Sequence, residues 1–154
     1  VVYYLLITYV LLAIFVSDLL YGTIPDQIVY PAMVLGVLFH LRGAPQAQHH
    51  LGGVLLAGLG AAAFFLFLVV VTRGRGMGLG DVKLAGLMGL VLGYPKIIIA
   101  LYLSFLTGAF FGVILILLKK KKLKEAVPFG PFLTAATLVA LIWGEKIWQS
   151  VALL

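Results

Sequence analysis

Five acidic residues, Asp18, Asp26, Asp81, Glu125 and Glu145, stand in a 154-residue chain that is 64% hydrophobic and only 10% charged. Carboxylates so isolated are candidates for proton chemistry, because desolvation disfavours the ionised form and a nearby second carboxylate disfavours it further. Two carboxyl groups sharing one proton form the apparatus of aspartic proteolysis: one takes a proton from water while the other polarises a carbonyl. Asp18 ends the first apolar stretch. Asp81 closes a turn, Arg73-Gly-Arg-Gly-Met-Gly-Leu-Gly-Asp81, with glycine at 74, 76, 78 and 80. Four alternate glycines remove Cβ and permit positive φ, which suits close approach of an extended peptide.

Phosphate binding is the rival chemistry for such a turn, and the spacing fails it. GxGxxG would need glycine where Leu79 or Asp81 stands, and GxxxxGK[ST] is absent. Asp26, directly after Pro25, is expected to cap or position the segment that follows. Lys83 lies two residues after Asp81, off its helical face, and is expected to snorkel to the interface rather than pair with it. His49 and His50 fall in a polar loop away from any carboxylate. Zinc wants three or four ligands, so no metal site is expected. His40 reads as an interface residue, and Ser17 has no activating Lys or His arrangement. The chain has no cysteine, which removes disulfides and thiolate metal sites.

The elements that must position these residues are apolar helices in lipid. Soluble domains carry about 25% charged residues, and a mean hydropathy of +1.20 leaves no water-compatible surface. Six segments approach the roughly 20 residues a spanning helix needs: 1–17, about 27–41, 51–72, 82–93, 96–118 and about 127–143. The expected fold is all-α, a polytopic bundle of about six transmembrane helices with the fourth short or partly re-entrant. One domain, 1–154, is expected. No ten-residue alternation of the membrane-barrel kind interrupts the runs. Small residues at Gly108/Gly112, Gly89/Gly93 and Gly53/Ala57/Ala61 suit close helix packing. Pro31 should kink the second segment or lie in its first turn. Trp143, Trp148, Tyr3 and Tyr4 suit interfacial belts. The chain opens on Val rather than Met, as a fragment would, and its first stretch lacks the basic start of a signal peptide.

If all six segments cross, the connections 18–26, 73–81 and 119–125 share one side. That side carries Arg73, Arg75 and five lysines, whereas the other carries only Arg42, Lys96 and Lys146. The positive-inside rule makes the first side cytoplasmic. The run from Lys119 to Lys124 is therefore an orientation anchor first and a lipid-headgroup contact second; nucleic acid is not an expected partner. All three aspartates fall on this cytoplasmic side.

Gly78-Leu79-Gly80-Asp81-Val82-Lys83-Leu84 resembles the GxGD motif of the type IV prepilin peptidases, bacterial intramembrane aspartic proteases. Asp18-Leu-Leu-Tyr-Gly-Thr-Ile-Pro25-Asp26-Gln27 is similar to that family's first-aspartate segment, and Val127-Pro-Phe-Gly-Pro-Phe-Leu133 to the segment opening its last helix. GxGD alone is a weak signal; ordered segments over nearly the whole chain, on one side, make it specific. The resemblance implies Asp18 and Asp81 as the catalytic pair, with Gly78, Gly80, Lys83, Pro25, Asp26, Pro128, Gly130 and Pro131 positioning substrate. It implies leader removal, after a glycine, from prepilins or pseudopilins with a basic leader and a hydrophobic helix, at the cytoplasmic face of the cell (inner) membrane. No metal or organic cofactor is implied, and no oligomeric state. Many bacterial members carry an N-terminal region with two Cys-x-x-Cys pairs; this cysteine-free chain resembles the catalytic membrane domain without it. Archaeal preflagellin peptidases share the chemistry. Outside the family, the alternatives are a proton-coupled membrane transporter and an inactive assembly protein of a pilus or secretion machine.

Overall fold

The computed structural model describes residues 1–42, 51–74, 77–118 and 128–152. Among them the chain forms six helices and no strand: α1 Val2–Tyr21, α2 Asp26–Leu41, α3 Leu51–Val71, α4 Leu79–Leu92, α5 Lys96–Leu117 and α6 Gly130–Ala152. Arg75, Gly76, His49, His50, the lysine run, Glu125 and Val127 lie outside the described residues, and with them the orientation anchor and the histidine loop.

Helices α1, α3 and α5 are long and apolar enough to cross a membrane, and α2 is a shorter apolar helix. Their outer faces expose large apolar side chains such as Leu56, Phe110 and Leu117. A surface of that kind matches hydrocarbon rather than water, and the chain is a polytopic membrane bundle. At 1.5 Å per residue the 14-residue α4 spans about 21 Å, less than the roughly 30 Å of a bilayer core. It is the central helix, packed chiefly on α3 and also touching α2, α5 and α6, while α6 packs on α5 and α1. Residues 84–89 are buried on every face of it.

Three helix ends differ from the apolar pattern, each for a local reason. α1 runs on to Tyr21 because a carboxylate does not stop a helix; Gly22 does, at φ 63°, with its N–H returned to the Asp18 carbonyl at 2.9 Å. α4 begins at Leu79, so Asp81 sits inside its first turn rather than at the close of the preceding one. α6 begins at Gly130, beyond Pro128, and continues through Trp143 and Trp148 to Ala152.

The closest backbone-to-backbone packing lies at one crossing. A Cβ on Gly89 would stand 2.5 Å from the Ala57 carbonyl and the Gly58 Cα, and one on Gly58 would stand 3.1 Å from the Gly86 oxygen. The working small residues are therefore Ala57 and Gly58 against Gly86 and Gly89. Gly53 and Gly112 meet nothing within 4 Å among the described residues, and Gly93 ends α4 at φ 64°. The expected pairs 89/93 and 108/112 do not act as two-residue packing faces.

Tyr3 also departs from expectation. It is buried rather than interfacial, stacked on Phe39 with centroids 3.8 Å apart and planes within 4°. Its hydroxyl is buried without a hydrogen-bond partner among the described residues. Half-buried Tyr4 meets it edge-on. Pro31 lies in the second turn of α2, past the first turn where its missing N–H would cost nothing. His40 is buried at the end of α2, with Nδ1 2.8 Å from the Gly36 carbonyl. At that same end of the bundle Lys96 pairs with Glu145 at 3.3 Å.

Candidate active site

Asp18 lies in the last turn of α1, where Gly22 folds the chain back over the helix end. Ser17 Oγ donates to the Thr23 carbonyl at 3.0 Å and holds the connection down. Pro25, at φ −70°, then opens α2. The Asp18 carboxyl is buried against Gly130, the first residue of α6, whose backbone N–H is turned toward it. A Cβ on Gly130 would stand 2.5 Å from Asp18 Oδ2, so the approach requires glycine. The positive end of the α6 dipole also points at this carboxyl. Oδ2 itself is buried with no hydrogen-bond partner among the described residues.

Asp81 is placed by the α3–α4 connection. Arg73 (φ 53°) and Gly74 (φ 69°) close α3, with Arg73 N–H donating to the Val70 carbonyl at 3.1 Å and Gly74 N–H to that of Val69 at 2.8 Å. That is the Schellman pattern, with Arg73 in the left-handed position where glycine is commoner. The expectation of positive φ along the glycine run holds at Gly74 but not at Gly78, which is extended at φ −92°. Gly78 acts through its backbone: its N–H donates to Asp81 Oδ2 at 3.1 Å. One free amide of the α4 start is thereby satisfied by the third residue of the helix. Gly80 acts through its missing side chain, since a Cβ there would meet Ile24 Cβ at 3.2 Å. The first turn of α4 can therefore lie against the α1–α2 connection.

The two carboxyl groups, 63 positions apart (81 − 18), thus come to one end of the bundle. They line one cavity of about 590 Å³, within the roughly 300–1,000 Å³ of ordinary ligand sites. Its walls come from three connections: Thr23 and Ile24 after α1, Met77 and Gly78 before α4, and Pro128 and Phe129 before α6.

Of the residues expected to position substrate, Gly78, Gly80, Lys83, Asp26 and Pro128 line this cavity. Gly130 instead supports Asp18, while Pro25 and Pro131 sit at the starts of α2 and α6 without lining it. The N-cap of α2 is Pro25, which makes no side-chain cap hydrogen bond, and Asp26 is the first residue of the helix. Asp26 accepts a hydrogen bond from Lys83 Nζ at 2.5 Å, and Lys83 also stands 5.6 Å over the Tyr30 ring. Lys83 is thus an ion-pair partner after all, of Asp26 rather than Asp81, because the first turns of α2 and α4 lie side by side. Sequence reasoning missed Thr23, Ile24, Met77 and Phe129 as lining residues. Gly22, before Thr-Ile-Pro, carried a readable helix-stop signal; the others carried none by residue type. No cluster of three metal-ligating side chains occurs among the described residues. Two buried carboxyls at a cavity wall can activate a water and polarise a carbonyl brought between them.

Comparison with known proteins bears on the same residues. The type IV leader peptidase family matches residues 5–113, a stretch that includes both aspartates. A prepilin leader peptidase/N-methyltransferase of Aeromonas hydrophila is 39% identical over 153 residues, covering 93% of this chain and 50% of the relative. The protein of that name from Pseudomonas aeruginosa is 34% identical over 147 residues, covering 95% and 51%. One from Bacillus subtilis is 37% identical over 92 residues, covering 58% and 37%. The chain spans about half the length of the first two. No solved structure matches it.

Proposed function

We propose, from the premise that this chain belongs to the type IV leader peptidase family, that it is a membrane-embedded aspartic endopeptidase domain acting through Asp18 and Asp81. The observation that carries this reading is the shared cavity. Two buried carboxyls from the end of α1 and the start of α4 line one space at one end of the bundle. In the proposed reaction one carboxylate takes a proton from water and the other, protonated, donates to the carbonyl oxygen of the scissile bond. The resulting tetrahedral species collapses as a proton passes to the leaving nitrogen, so one water is consumed and no covalent enzyme intermediate forms. The pair titrates as a unit.

The substrate is a prepilin or pseudopilin, whose leader is removed at the cytoplasmic face of the inner membrane. Gly78, Gly80, Lys83 and Asp26 present backbone and charge along one wall, and Pro128 along another. Pro25, Gly130 and Pro131 act by fixing the ends of α2 and α6. Purified protein mixed with a prepilin in detergent or liposomes tests the reading. The parent chain should release the leader, and Asp18→Asn and Asp81→Asn, near-isosteric with the protonated acids, should each abolish release. Cleavage that persists in either variant would overturn the two-aspartate assignment.

A further inference from the structure

No described residue of α5 lines the cavity, yet the helix carries a notch beside the residue that precedes Gly130. Gly108 lies against Phe129: a Cβ built on Gly108 would stand 2.6 Å from Phe129 Cε2 and 3.3 Å from Cδ2. The ring cannot simply swing aside. It is held among Phe105, Phe132 and Phe65, with centroids 5.2, 6.1 and 6.3 Å away. Phe129 accepts the first backbone hydrogen bonds of α6, from Phe132 and Leu133 at 3.1 Å each. The next residue is Gly130, whose N–H and bare Cα abut the Asp18 carboxyl.

We propose that Gly108 is a positioning residue for the reaction: its notch receives the Phe129 ring and so seats Gly130 against Asp18. The inference rests on the peptidase reading and adds to it a residue that touches neither substrate nor the reacting atoms. In Gly108→Ala the new methyl displaces the ring by the better part of an ångström, and Gly130 moves with it. Misplacement on that scale costs up to about 100-fold in rate. The loss belongs mainly in kcat: Phe129 also lines the cavity, so KM shifts modestly, but the walls from α1–α2 and α3–α4 stay in place while the seat of Asp18 moves. Gly112, one turn further along α5, meets nothing within 4 Å among the described residues, and Gly112→Ala should behave as the parent.

The experiment is a cycle of Gly108→Ala with Phe129→Leu, read by prepilin cleavage and by the amide shift of 15N-labelled Gly130. With Phe129 present, the alanine should lower kcat about 10- to 100-fold and shift the Gly130 signal. In the Phe129→Leu background the smaller side chain leaves the notch part-empty. There the same alanine should raise kcat and return the signal toward its parent position. This second arm carries the test even where Gly108→Ala alone does not fold. Equal effects of the alanine in both backgrounds, no effect in either, or an equal loss in Gly112→Ala would each overturn the inference. Failure of the parent chain to cleave would instead count against the peptidase reading, leaving the Gly130 shift to judge the notch.

Discussion

Replacing Gly89 by alanine should weaken the bundle at the crossing that carries Asp81. The added Cβ would lie 2.5 Å from the Ala57 carbonyl carbon and oxygen and from the Gly58 Cα. All three are backbone atoms of α3, so no rotamer change relieves the contact. Ordinary van der Waals contact begins near about 3.4 Å, and overpacking of this kind costs about 1–3 kcal/mol. At roughly 2–4 °C per kcal/mol for a chain of this size, the melting temperature in detergent should fall by about 2–12 °C. Gly60→Ala is the matched control on α3, because a Cβ there meets nothing within 4 Å among the described residues. Alanine is favoured over glycine inside a helix by about 0.5–1 kcal/mol, so that variant should melt at or slightly above the parent. Tryptophan fluorescence or circular dichroism during a thermal ramp measures both. A Gly89→Ala protein at least as stable as the parent would show that α3 and α4 do not cross where described, and the placement of Asp81 would lose its support.

Removing the buried, unpartnered hydroxyl of Tyr3 in Tyr3→Phe keeps the ring stacked on Phe39 and should raise stability by about 1 kcal/mol, since an unsatisfied buried polar group costs about 1–3 kcal/mol; a clear loss on the same thermal ramp would mean the hydroxyl has a partner. Gly130→Ala puts a methyl 2.5 Å from Asp18 Oδ2 and should cut kcat by about 100-fold, whereas cleavage within about twofold of the parent would detach Asp18 from that seat. A pair working as general acid and general base should give a bell-shaped pH dependence of kcat/KM, and a profile flat from acid to alkaline pH would count against it.

Much of this architecture is legible in the residues because lipid imposes simple rules. Long apolar runs must be helices, since no water pairs their backbone, and all six helix starts fall within three residues of the apolar pattern, at Val2, Asp26, Leu51, Leu79, Lys96 and Gly130. Helix ends are less legible, because they depend on backbone geometry and not on hydropathy. Arg73 takes the left-handed position that glycine usually fills, and α1 ends at Gly22 rather than at its charge. The two aspartates stand out by rarity, but their meeting place depends on contacts without residue-type signals: Ile24 under Gly80, and Phe129 in the Gly108 notch. The Lys83–Asp26 pair is hidden for the same reason, as 57 positions separate its partners.

The location of the buried polar groups separates proteolysis from ion movement. A proton-coupled transporter requires polar side chains that hand charge through the membrane core. Among the described residues the buried polar or charged side chains are Asp18, His40, Asp81, Ser104, Thr134 and Thr137, with the hydroxyl of Tyr3 beside Phe39, far along α1 from Asp18. Ser104, Thr134 and Thr137 each donate to a carbonyl one turn back in their own helix, so their hydroxyl protons are already engaged. His40, at the opposite end of α2, points Nδ1 at the Gly36 carbonyl of its own helix. Between it and the carboxyl pair lie Ile7, Leu11, Ile14, Leu87 and Met88, all fully buried. Such a core insulates the two ends from each other. The acidic pair is therefore confined, among the described residues, to the wall of one cavity at one end of the bundle, an arrangement that supports the proposed hydrolysis rather than passage.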